Sequence, residues 1–204
     1  GSKLVNNQPG TGHVIQLGSL AGTGGTLGGG NAVGAAATFE VGGNGQSTSF
    51  GGQIVDTPPG FGGGTASLNV VGGTLTLTGA NNYSGGTAVN FGTLKIGDNG
   101  TSGTLGSGNV TIDANLTFNR SDNYNTGSSQ VFSGAGTITK DGAGELQFNG
   151  AADNTNVEGV SNVVVNDGLI RTDNYGKWNS ALDLTVNGSG KFEMWNNESV
   201  TLAN

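Results

Sequence analysis

The chain has 204 residues, of which 42 are Gly, 3 are Pro and none is Cys, with a net charge of −7. Missing Cys excludes disulfides, thiolate metal sites and cysteine nucleophiles, and low Pro without a three-residue Gly period excludes collagen. Only 7 Lys and Arg are present, and residues 1–97 carry just Lys3, Glu40, Asp56 and Lys95, so no basic stripe exists to neutralise phosphates and no nucleic-acid partner is expected.

In chain order, the opening Gly1-Ser2-Lys3-Leu4 reads as a cloning remnant, leaving residues 5–204 as a single structural unit. The turns Gly42-Gly43 and Asn44-Gly45 follow, with Ser47 standing where a calcium-binding nonapeptide would place Asp; a plain turn is expected there. Thr74-Leu75-Thr76-Leu77-Thr78 then alternates strictly, as do Leu94-Lys95-Ile96, Glu145-Leu146-Gln147-Phe148-Asn149 and Leu182-Asp183-Leu184-Thr185-Val186. Each run turns apolar side chains to one face and polar ones to the other, the period-two signature of a strand. The turns Asn99-Gly100, Asn149-Gly150 and Asn187-Gly188 separate them. No stretch has helical apolar spacing.

The runs also repeat. Leu75 to Ala80 matches Leu146 to Ala151, Ala88 to Gly92 matches Val164 to Gly168, and Ser49 to Gly52 matches Val131 to Gly134. Repeat units are placed at about 46–97 and 130–172. Short strands with frequent Gly and Asn turns favour a single-stranded solenoid over a two-sheet sandwich. The expected fold is all-β, a right-handed parallel β-helix, with about eight to ten coils of about 20–25 residues.

Candidate chemistry is sparse. His13 is the sole histidine, no Gly-x-Ser-x-Gly or phosphate-loop motif occurs, and the carboxylates from Asp98 onward are spread singly along strands and turns. No metal, cofactor or catalytic residue is therefore expected, and the chain is read as a non-enzyme. Tyr175, Trp178 and Trp195, beside polar side chains, are the candidates for an exposed aromatic surface that stacks on glycan or contacts a host protein. Tyr83 is read as structural, its ring closing a corner and its hydroxyl bonded locally. The strand-like run at Ser199-Val200-Thr201-Leu202 suggests weak end-to-end self-association.

The run Gly73 to Leu94 closely resembles the autotransporter-associated β-strand repeat, the passenger-associated repeat of bacterial type V secretion. The positions that carry the resemblance are Leu75, Leu77, Gly79, Asn81, Tyr83, Gly85, Gly86, Thr87, Val89, Gly92 and Leu94. Asn82 and Phe91 depart from the usual Thr and Ala. The resemblance implies a β-helical passenger segment, extracellular or on the bacterial outer-membrane surface. Its parent would be linked to an outer-membrane β-barrel or other secretion domain. Its role would be export, folding and display of an adhesive region, with glycan or host-protein binding as the alternative.

Overall fold

The computed structural model describes residues 1–8, 10, 12–30, 34–149, 157, 159–173, 178 and 181–194. Every element among them is a strand. The first six are β1 (Lys3–Val5), β2 (His13–Leu17), β3 (Thr26–Gly28), β4 (Ala35–Val41), β5 (Ser47–Phe50) and β6 (Gln53–Val55). Two long bent strands follow, β7 (Gly64–Leu77) and β8 (Thr87–Gly100). Then come β9 (Val110–Ile112), β10 (Asn115–Arg120), β11 (Tyr124–Asn125), β12 (Phe132–Lys140) and β13 (Glu145–Asn149). The last four are β14 (Gly159–Val165), β15 (Leu169–Asp173), β16 (Asp183–Val186) and β17 (Lys191–Met194).

All paired strands are parallel. The chain winds into a β-solenoid of about seven turns. Each turn supplies strand segments to three faces. The first two faces belong to one ten-stranded sheet bent within β7, β8, β12 and β14; the third is made by β1, β3 and β6 at one end and by β11, β13, β15 and β17 at the other. The described residues form about seven turns, against the eight to ten expected for the whole chain, and coil length varies around the expected 20–25 residues. Ala37 lies opposite Ala66 but Leu68 lies opposite Thr87, steps of 29 and 19 residues.

Alternation sets which side chains enter the core. In β4 the buried positions are Ala35, Ala37, Phe39 and Val41, every second residue. In-register stacking then converts alternation into columns. On the second face Thr48, Leu75, Leu94, Leu116, Ile138, Val163 and Leu184 stand opposite one another in succession. On the first face the column is Ile15, Phe39, Leu68, Thr87, Val110 and Phe132. Burial of such a Leu is worth several kcal/mol, and Leu→Ala within a tight core costs about 2–5 kcal/mol.

Residues that look alike in the sequence do not occupy like positions. Leu75 lies on the second face, whereas Leu146 pairs with Tyr124 and Ile170 on the third. Val89 lies on the first face and Val165 on the second. The likeness is one of strand-and-turn texture, which all three faces share. Lys3 and Leu4, assigned from sequence to a remnant, lie in β1 opposite Thr26 and Leu27.

Candidate functional site

The segment that carries the resemblance closes one coil with buried polar groups. Leu75, Leu77, Val89 and Leu94 are fully buried and face inward. Between their strands the chain turns without regular structure, and its polar groups must be satisfied by side chains. Asn81, 7% exposed, does this across three coils. Its Oδ1 accepts the Ile54 N–H at 2.8 Å, and its Nδ2 donates to Thr104 O at 2.8 Å and Gly79 O at 3.2 Å. Its own N–H donates to Thr104 Oγ1 at 2.6 Å. Asn149, three turns further on, makes the same two bonds to a threonine of the preceding coil, Thr126.

Tyr83 is fully buried at the corner, its hydroxyl 2.7 Å from Thr87 Oγ1. Thr87 is the polar residue within the otherwise apolar first-face column, so the two hydroxyls satisfy each other where water is absent. Burial pushes the Tyr83 pKa up to about 12, against the opposing effect of its bond to Thr87. Gly79 and Gly85 are close approaches: a Cβ at Gly79 would stand 1.7 Å from Gly52 O. Gly86 and Gly92 take positive φ of 102° and 75° at the bends.

Other anchors were missed from the sequence. Arg120, 8% exposed, forks onto Asp122 at 2.9 and 2.8 Å and donates to Gly103 O and Thr101 O at 2.5 and 2.7 Å. It thereby ties the loop of the preceding coil. Gln130 likewise donates to Gly106 O and Gly108 O. Lys140 stands in an inner column between Phe118 and Val165, 1% exposed, with Nζ donating to Gly142 O. Burial lowers its pKa, opposed by the carboxylates of Asp167 and Asp141. The alternation of Ile138 and Lys140 was the available signal for this inward lysine.

The aromatic surface expected near the C-terminal end is corrected in part. Trp178 is 6% exposed and packs edge-on against Phe148 at 5.4 Å, with Phe192 at 5.4 Å on its other side. It is a core residue, bridged to Val157 and packed in the cluster with Phe148 and Phe192. Tyr175 and Trp195 lie outside the described residues.

The carboxylates fall into separate local contacts. Glu145 and Glu193 both meet Arg171, at 2.8 and 3.1 Å. Asp167 accepts from Ser189 Oγ at 2.5 Å and from the Gly168 N–H at 2.8 Å, which hold its carboxyl below the usual range. Among the described residues no three His, Cys, Asp or Glu side chains cluster as metal ligands. The turn from Gly42 to Gln46 is closed by Gly45 N–H to Gly42 O and Gln46 N–H to Asn44 Oδ1.

The segment around Tyr83 matches a known family. The family model described as passenger-associated-transport-repeat matches residues 72–96. The adhesin BmaC autotransporter of Brucella suis biovar 1 (strain 1330) is 52% identical over 64 residues, 31% of this chain. That match spans only 2% of the adhesin's own length. No solved structure matches the chain significantly. Residues 72–96, with Tyr83 and Thr87 bonded across their corner, carry the passenger-associated-transport-repeat, and the chain is similar to an autotransporter passenger, as the run from Gly73 to Leu94 suggested.

Proposed function

We propose that this chain is a structural, non-catalytic β-helical segment of a surface-exposed or secreted passenger, supporting export, folding and display of an adhesive region. The observation that carries the reading is the unbroken inner column from Thr48 through Leu75, Leu94, Leu116, Ile138 and Val163 to Leu184. A solenoid of this kind grows by adding coils to a preceding coil, so each ordered turn templates the next. The likeness to an autotransporter adhesin supports linkage of the parent to an outer-membrane translocator and an extracellular position. The engagement of Glu145, Glu193 and Asp122 by arginines supports a structural use of these carboxylates.

The test is surface display of the parent protein on intact cells, read by antibody binding and protease accessibility. Leu94→Asp should break the column and lower display severalfold, whereas Thr93→Asp, on the outward side of the same strand, should leave it near wild type. Equal display of both variants would rule out the templating role. A glycan-binding role for aromatic residues near the C-terminal end gains no support from Trp178, which is buried.

A further inference from the structure

Four Asn-Gly steps occur in the chain, at Asn44, Asn99, Asn149 and Asn187. At such a step the glycine nitrogen, once its proton is lost to solvent, can attack Cγ of the preceding carboxamide, since glycine has no Cβ to crowd the approach. A five-membered imide forms, the Cγ–Nδ2 bond breaks and ammonia leaves. Water then opens the imide at either carbonyl, giving Asp or isoaspartate, with water as the only co-reactant. Asparagine is thermolabile for this kind of reason. In a folded chain the attacking nitrogen must also be free of the hydrogen bonds that hold its peptide in place.

The fold holds two of these steps closed. Gly45 donates its N–H to Gly42 O at 2.9 Å, and the Asn44 carboxamide is fixed through Oδ1 to the Gln46 N–H at 3.1 Å. Gly100 ends β8 opposite Arg120, and its O accepts the Ser121 N–H at 2.9 Å, so its peptide belongs to the sheet. Gly150 lies outside the described residues. At Asn187 the turn is built differently. Gly190 donates to Asn187 O at 2.9 Å, which leaves Gly188 at the outer corner, exposed and with a φ of 52°. The Gly188 N–H has no hydrogen-bond partner among the described residues.

The same carboxamide ends a polar ladder. Asn166 Nδ2 donates to Asp141 Oδ1 at 2.8 Å, and Asn187 Nδ2 donates to Asn166 Oδ1 at 2.9 Å. These residues follow Lys140, Val165 and Val186, which stand opposite one another, so the ladder ties three successive coils. Its direction is fixed, because the Asp141 carboxylate only accepts. Exchanging the Asn187 Nδ2 for oxygen sets acceptor against acceptor and adds a negative charge to a chain already at −7. Isoaspartate goes further and lengthens the main chain by a methylene between β16 and β17, both of which keep register with the preceding coil. The contact of Phe192 with Trp178 depends on that register. We propose that the Asn187-Gly188 step is a self-modification site, which loses ammonia in the folded chain and thereby loosens the coil of β16 and β17. This goes beyond the spacer role and does not depend on it.

The experiment ages the unmodified chain in warm, mildly alkaline buffer made with 18O-enriched water, folded and in guanidinium, and follows each Asn-Gly peptide by mass spectrometry. In the folded chain the amide of Asn187 should be lost severalfold faster than those of Asn44 and Asn99, with a single solvent oxygen incorporated. In guanidinium the three steps share the same local sequence and should react at comparable rates. Hydrogen exchange reads the consequence. Amides of 183–194 should exchange severalfold faster in Asn187→Asp than in the unmodified chain, while those of 64–77 stay unchanged. Aged against fresh chain gives the same comparison without a substitution. Retention of the Asn187 amide in the folded chain, equal or faster loss at Asn44 or Asn99, a preference for Asn187 that persists in guanidinium, or unchanged protection of 183–194 after the conversion would each overturn the proposal.

Discussion

At the scale of single residues, the fold depends on a few buried polar groups that are satisfied in pairs. Tyr83→Phe leaves the Thr87 hydroxyl buried without its partner and should lower stability by about 1–3 kcal/mol. The double variant Tyr83→Phe, Thr87→Val should recover part of that loss, measured by chemical denaturation. Trp178→Ala should cost about 3–5 kcal/mol through lost packing against Phe148 and Phe192. Trp178→Phe should be far milder, because the indole N–H has no partner among the described residues. Lys140 gives a pH dependence. Its folded pKa is lowered from the ordinary 10.5, so the burial penalty is complete below the folded value and absent above the unfolded one. Stability should therefore rise with pH through that window. Lys140→Met should stabilise most near neutrality, and its advantage should shrink as pH climbs toward the tyrosine range near 10. A constant advantage across pH would contradict the buried cation.

At the scale of elements, strands were legible and their connections were not. Glu145 to Asn149 forms β13 with Leu146 and Phe148 buried, as period-two alternation requires. Phe192 and Met194 pack against the core from β17, again as alternation predicts. Trp178 could not be placed because its neighbours in the sequence show no alternation from which to read direction. The Asn81 bonds to Ile54 and Thr104 span 27 and 23 residues, so they become visible only when the length of each coil is known. Coil length itself was hidden, since the turns on all three faces share one Gly and Asn texture. The bends carry their own prediction. At Gly92, φ is 75° and a Cβ would lie 2.2 Å from Gly73 O, so Gly92→Ala should cost more than about 2 kcal/mol in denaturant unfolding. By contrast, Arg171→Ala removes two partly exposed ion pairs and should cost about 1 kcal/mol or less, falling with added salt.

At the scale of the whole molecule, composition pointed to a solenoid for a physical reason. Stacked coils bring backbones into contact at every corner, and Gly79, Gly85 and Gly92 lie where neighbouring carbonyls leave no room for a side chain. High Gly content with short apolar runs is the chain-wide trace of that constraint. The repeat at 72–96 was legible because its corner needs several defined residues at once, and the Arg120 and Gln130 anchors were not, because their partners lie in the preceding coil. Every functional statement rests on coils stacked in register, and the absence of cysteine allows spin labels to be placed at will. Thr76, Lys95, Thr117, Thr139, Val164 and Thr185 stand opposite one another in succession. The decisive measurement is the electron–electron distance between labels at Thr76 and Thr139 and between labels at Thr76 and Thr185. Stacking three and five rungs apart, at about 4.8 Å per rung, predicts separations near 14 and 24 Å. Distances that fail to grow with the number of coils would contradict the solenoid and every role derived from it.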